Sequence, residues 1–398
     1  MKNFIKNRFG FLRKLISLKS RLPYPVTVLP REGKPKKWAL LSYLSSSLLL
    51  PDNSPILLSH SNTWECREIG RILLDMGYGI DAINWDDMKF VPKREYDVVF
   101  DICYNLARLS DKFGSGTIRL LHCTGSDPYY QNAAEMKRVE AVNKRRNGKY
   151  HPKRLVLNPE LSAQSIEIAD HISLFGNQHT LNTYPENIKK KTTLVQSSGS
   201  VIGENRKNPD QFIPSEKEFL WFFGSGAVHK GLDLVLEVFA THPEYTLNIV
   251  GAKLKAEPDF IEMYQKELYE LPNIHYHGFL LPSGIQFREI INRTFCFIAP
   301  SCSEGISPAV TTCLQIGLFP IISADTGVDL PSGCGILLEN CTIDEIERAV
   351  LAVYNLSDFE LNRQIWVTQT YAANLFSRDR FHSSLENYLS QCLLTHAD

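Results

Sequence analysis

Residues 296–323 read CFIAPSCSEGISPAVTTCLQIGLFPIIS, and this stretch decides the fold. An apolar run enters Pro300 and then a polar turn through Ser301, Cys302, Ser303, Glu304 and Gly305. A helix of small residues follows and leads through Gly317 into another apolar run. Strand, turn, helix and strand in that order make a βαβ unit, the element of a mostly parallel sheet.

The alternation extends in both directions from there. Upstream, expected strands are Phe219 to Phe223, Thr246 to Val250, Ile274 to Tyr276 and Thr294 to Ile298; downstream they are Phe319 to Ser323 and Gly335 to Leu338. In the helix after Lys230, Leu232, Val235, Leu236 and Phe239 keep the i, i+3, i+4, i+7 spacing of one buried face. An earlier series begins at residue 36, with strands expected at Trp38 to Tyr43, Ile56 to His60, Ile80 to Asn84, Asp97 to Ile102, Ile118 to His122 and His171 to Phe175. After His60 a helix is expected: Asn62 and Glu65 stand at capping-box spacing, and Ile69, Ile72, Leu73 and Met76 form one stripe before Gly77.

Between the two series, SSGSVIGENRKNPDQFIPSE (197–216) loses its apolar period and reads as a linker. A chain of 398 residues exceeds what one core sustains, so two α/β domains are expected, at 36–205 and 206–377. The apolar fraction of 43% and charged fraction of 22% suit a globular enzyme, and no window is apolar enough to span a bilayer. Nine cysteines without a CxxC pair, and no signal peptide, imply reduced thiols in a cytoplasm, with no zinc site.

Charge is uneven. The first 37 residues carry eleven Lys or Arg against the single acid Glu32. Residues 1–21 interleave those cations with Phe and Leu, a basic amphipathic pattern suited to an anionic membrane surface at the cytoplasmic face. The basic run belongs to no recognisable nucleic-acid-binding fold, so nucleic acid is not expected as a partner.

Parallel sheets bind ligands beyond the carboxyl ends of their strands. After the strand at 219–223 comes FFGSGAVHKG (222–231), where Gly224 and Gly226 let backbone approach a ligand. The following helix N-terminus and Lys230 offer positive charge to a phosphate. The loop is no Walker A motif, for GKS or GKT is missing, and no third Gly completes GxGxxG. Glu304, also between a strand and a helix, suits hydrogen bonds from sugar hydroxyls.

GSGAVHKGLD (224–233), LNIVGA (247–252), NIHYHGF (273–279) and PSCSEGISPAV (300–310), followed by GLFPIIS (317–323), form an ordered series. They resemble the successive motifs of the C-terminal donor domain of GT-B glycosyltransferases, in the large retaining family called family 4 or group 1. The resemblance covers residues 218–340. It implies a GT-B architecture: two Rossmann-like, doubly wound parallel-sheet domains facing a central cleft, with a C-terminal helix (378–398) crossing back onto the first domain.

By the same resemblance the co-substrate is a nucleotide-diphosphate sugar. Lys230 would hold its diphosphate and Gly224, Ser225 and Gly226 would line it. Ser303 and Glu304, with the backbone of Gly305, Ile306 and Ser307, would hold the sugar or the nearest phosphate. Ser225 and Thr312 stand where the family pattern usually has an Arg and a second Glu, so a diphosphate charge is lost, and of the usual ribose contact Thr312 can still make one weaker hydrogen bond. Two readings stay open: a divergent active branch, or a sugar-nucleotide binder or partner subunit without catalysis. An epimerase or phosphorylase of the same fold is the remaining alternative.

In the first domain, LLHCTGSDPYYQNAAE (120–135) places His122 at a strand end. The resemblance assigns His122 a catalytic place beside the transferred sugar, and Thr124, Gly125 and Asp127 would face the cleft. His60, Asn62, Trp64 and Asn177 complete the acceptor-side candidates, for a glycan, a lipid-linked glycan or a small molecule. The chain contains no DxD, so no metal is expected and protein groups must meet the leaving-group charge.

Overall fold

The computed structural model describes residues 24–59, 61–208, 217–251 and 253–394. The membrane-surface segment proposed at 1–21, His60 and most of the linker's second half therefore lie outside the described residues.

The first sheet has seven strands: β1 (Val26–Val28), β2 (Lys37–Tyr43), β3 (Tyr78–Asn84), β4 (Val98–Asp101), β5 (Ile118–Cys123), β6 (His171–Phe175) and β7 (Thr192–Val195). Their order is β1-β3-β2-β4-β5-β6-β7, with only β1 antiparallel to its neighbour. The second sheet contains β8 (Glu218–Phe223), β9 (Leu247–Gly251), β10 (Ile274–Gly278), β11 (Thr294–Ala299), β12 (Phe319–Ser323) and β13 (Ile336–Leu338). It is parallel throughout, in the order β10-β9-β8-β11-β12-β13. Chain order reverses between β2 and β4 and between β8 and β11, and these switch points open crevices at the strands' carboxyl ends. Among the described residues no helix is long and apolar enough to cross a membrane.

One expected strand is a helix. Pro55–Ser59 is helical, with Pro at the first position, where its missing N–H costs nothing. A strand there would also lack a partner beside β2, whose two edges are taken by β3 and β4. Strands β1 and β7 went unanticipated. They read VTV and TTLV, without an apolar run, and form by adding to the open edges of β3 and β6.

The next helix runs Ser61–Asp75, so Asn62 lies inside its first turn and is exposed rather than capping. Glu65 turns inward, where it accepts bonds from the Ser198 N–H (3.0 Å) and Oγ (3.1 Å). The Trp64 ring is engaged within the chain. Phe381 packs edge-on against its ring at 5.4 Å, and the Arg378 guanidinium lies over it at 4.5 Å. Both belong to the Arg378–Leu394 helix, which lies on the first domain against β7 and the Ser61–Asp75 helix.

Burial pushes the Glu65 carboxyl up to about 7. Between its unfolded value and about pH 7 the folded chain holds a proton that the unfolded chain has released, so stability falls as pH rises through this window. Glu65→Gln keeps an acceptor for Ser198 and removes the buried charge. Its gain over wild type in urea unfolding is expected to be about 3 kcal/mol larger at pH 8 than at pH 4.5, at 1.36 kcal/mol per pKa unit. A gain independent of pH would contradict a buried, late-titrating carboxyl.

Candidate functional site

Strands β8 and β11 are neighbours at the switch point of the second sheet, so the loops that follow them meet. Lys230, at the end of the first loop, is buried and its ammonium pairs with the Glu304 carboxylate of the second. The Phe223 ring lies 5.5 Å from Nζ. Burial and then the Arg154 guanidinium push the lysine's pKa down, and Cys302 and the Glu135 carboxylate oppose them.

His229 laces the loops together. Its Nε2–H donates to the Ser303 carbonyl at 2.6 Å, and its own carbonyl accepts the Cys302 N–H at 3.0 Å. The other ring nitrogen lies 3.6 Å from Glu135 Oε2 and 3.7 Å from Cys302 Sγ. Burial pushes the imidazole pKa down and the Cys302 thiol up to about 12. Neutral and buried, this group positions the loops and offers no thiolate nucleophile.

The glycine loop departs from the expected phosphate cradle. Gly226 takes φ +89°, and the N–H groups of Gly226 and Ala227 donate to Glu257 Oε1 (2.7 Å) and Oε2 (3.0 Å). Glu257 is buried and also accepts from the Tyr150 hydroxyl at 2.7 Å. A carboxylate of the chain thus satisfies donors that were assigned to the diphosphate. Gly224 and Ser225 are exposed at the loop's tip.

Thr312 is likewise spent. It is fully buried in the Pro308–Ile316 helix, donates to the Pro308 carbonyl at 2.6 Å and accepts the Ser200 N–H at 3.1 Å. In this arrangement it holds the linker and reaches no ribose. Ser303, Ile306 and Ser307 are buried, and the Ser307 N–H bonds the Thr326 carbonyl at 3.0 Å.

Gly305 meets the first domain. A Cβ there would lie 2.5 Å from the Thr124 carbonyl oxygen and 2.6 Å from that of Phe175. Ser126 Oγ donates to the Glu304 carbonyl at 3.1 Å, and Gly125 also adjoins Gly305. Thr124 and Gly125 thus face the second domain. Asp127 caps the Pro128–Arg146 helix, accepting the Tyr129 and Tyr130 N–H groups. Asn177 caps a short helix and donates across the domains to Asp329 at 2.7 Å.

His122 does not reach this surface. Its side chain is 0% exposed, lies 4.3 Å from the Phe175 ring centroid and bonds Ser173 Oγ at 2.8 Å. On β5 it shares a face with Ile118 and Leu120, which lie in the core, and burial pushes its pKa down to about 3. It is a neutral core histidine and not a cleft group.

The domains are further joined along the Pro128–Arg146 helix. Arg138 donates to the Pro300 carbonyl at 2.9 Å, Arg145 pairs with Asp233 at 2.6 Å, and Arg146 reaches Glu237 and Glu267 at 2.7 Å. Tyr130 donates to Asp325 at 2.8 Å. Sequence reading missed Arg154, Glu257, Glu135 and Arg138, because their places depend on contacts between distant segments. His229, next to Lys230, was open to inspection but carries no motif of its own.

Residues 203–366 match the family model described as Glycosyl transferases group 1. No curated protein sequence matches the chain. Among solved structures it is similar to sucrose-phosphate synthase from Thermosynechococcus elongatus: TM-score 0.63 at 12% identity, over 90% of this chain and 100% of that one. It is also similar to the HepE protein of Anabaena in complex with UDP and glucose, with TM-score 0.57 and 11% identity over 89% and 99% of the two chains. A glycosyltransferase from Rickettsia africae gives TM-score 0.55 and 10% identity over 90% and 99%. These likenesses show the fold: two parallel-sheet α/β domains in the GT-B arrangement.

Proposed function

We propose that the chain is a glycosyltransferase that moves a sugar from a nucleotide-diphosphate donor to a carbohydrate or lipid-linked acceptor, with retention and without a metal. The Lys230–Glu304 pair at the carboxyl ends of β8 and β11 carries this reading. Unliganded, the two charges neutralise each other. An arriving diphosphate competes for the ammonium and frees Glu304 to accept hydrogen bonds from sugar hydroxyls.

In the transfer, the bond between the anomeric carbon and the diphosphate oxygen breaks, and its electron pair leaves with the nucleoside diphosphate. The acceptor oxygen attacks the same face and its proton passes to a departing phosphate oxygen. Lys230 stabilises the charge that develops on the leaving group, in a place largely closed to water. A second reading, a sugar-nucleotide binder or partner subunit without catalysis, is favoured by Glu257 on the loop N–H groups and by the buried Thr312, which leave a donor fewer contacts.

The test is incubation with nucleotide sugars and candidate acceptors, followed by proton NMR. UDP sugars come first, because the similar Anabaena protein was solved with UDP and with UDP-glucose. Release of nucleoside diphosphate with a product of unchanged anomeric configuration is expected. Inversion would overturn retention, binding without turnover would favour the second reading, and conversion of donor alone would indicate an epimerase.

A further inference from the structure

We propose that Arg154, which belongs to the first domain, is a second cation on the donor's diphosphate, so that the donor is gripped from both domains. The proposal rests on the reading of Lys230 as a diphosphate contact.

Arg154 lies in the segment after the Pro128–Arg146 helix, and that helix fixes its backbone. Glu135 Oε1 accepts the N–H groups of Lys153 and Arg154, each at 2.7 Å, and Gln131 Nε2 donates to the Arg154 carbonyl at 2.7 Å. Asn132 accepts the Val156 N–H at 2.8 Å. Thus held, the arginine stem crosses to the second domain and lies over Gly226, where a Cβ would come within 2.5 Å of its Cγ. Glycine at 226 is what admits it.

The guanidinium is unspent. Arg145 and Arg146 pair with acids of the second domain, whereas Arg154 is exposed and makes no ion pair among the described residues. Among the nearby carboxylates, Glu257 accepts the loop N–H groups and the Tyr150 hydroxyl, and Glu135 Oε1 accepts the Lys153 and Arg154 N–H groups. Lys230 and Arg154 lie beside the carboxylates Glu304 and Glu135, and the two cations repel each other until a further anion enters. Their proximity is felt in the lysine itself, whose pKa Arg154 pushes down. A phosphate suits this pair of cations, because a guanidinium fork can bind two of its oxygens at once. Ser225, exposed on the same loop, brings no charge of its own.

The test is calorimetric titration of the full chain with UDP, GDP, ADP and dTDP, and with inorganic pyrophosphate as a base-free probe. Arg154→Ala is expected to weaken nucleoside diphosphate and pyrophosphate binding about 10- to 100-fold, with an unchanged melting midpoint. Adding Ser225→Arg to that variant should restore part of the affinity, by returning a cation to the loop from the other side. If wild type binds and Arg154→Ala binds equally well, the proposal fails and the Lys230 reading stands. Lost binding with a lowered midpoint and no rescue by Ser225→Arg would mark Arg154 as merely structural and also overturn it. No binding of any probe by wild type would overturn both.

Discussion

Lys230→Ala is expected to lower the rate of donor consumption by about 100-fold, the upper part of the range for a charge-assisted hydrogen bond of ~1.5–3 kcal/mol. The ammonium has no substitute at its position: Arg154 approaches from the other domain, and the loop N–H groups are held by Glu257. The same change leaves Glu304 without its counter-charge, and breaking a buried pair by removing one partner costs ~3–5 kcal/mol. Stability and function therefore need separating. Lys230→Met combined with Glu304→Gln removes both charges and should recover most of the lost melting midpoint while activity stays low. Activity that recovered together with the midpoint would show that the pair only holds the loops together.

Gly305→Ala is expected to lower turnover by a similar factor through the geometry of the closed cleft. The added carbon would collide with two backbone carbonyls of the first domain, Thr124 and Phe175, and neither can swing aside like a side chain. Overpacking of this kind costs ~1–3 kcal/mol where the surroundings are fixed. Here the domains can separate, so the strain becomes displacement, and a shift of about 1 Å can cost a reaction about 100-fold. Small-angle scattering should report a larger radius of gyration for the variant, with each domain still folded by circular dichroism. Unchanged turnover and radius would mean that the Gly305 contact plays no part in closure.

The sequence located Lys230 and Glu304 by a topological argument that the structure supports. Their segments follow strands recognisable by apolar runs, and adjacent parallel strands at a switch point bring such segments together without further information. His122 shows where that argument stops. A strand end points at the cleft, but both faces of β5 are covered, and His122 lies on one of them among Phe100 and Phe175. Trp64 and Thr312 have partners that no motif announces: the C-terminal helix lies against the first and the linker bonds the second. Arg154 and Glu257 were out of reach altogether. Neither lies in a motif, and both act on Gly226 from segments that only folding brings to it. The short β1 and β7 escaped because they are partly exposed edge strands, VTV and TTLV, whose threonines leave no apolar run to detect.

The most direct measurement is calorimetric titration of the full chain with UDP, GDP, ADP and dTDP sugars, without added metal, beside Lys230→Ala. Binding of one nucleotide class by wild type, weakened in the variant, is the expected result. Failure of every sugar nucleotide to bind, or equal binding by the two proteins, would contradict a donor site built on Lys230.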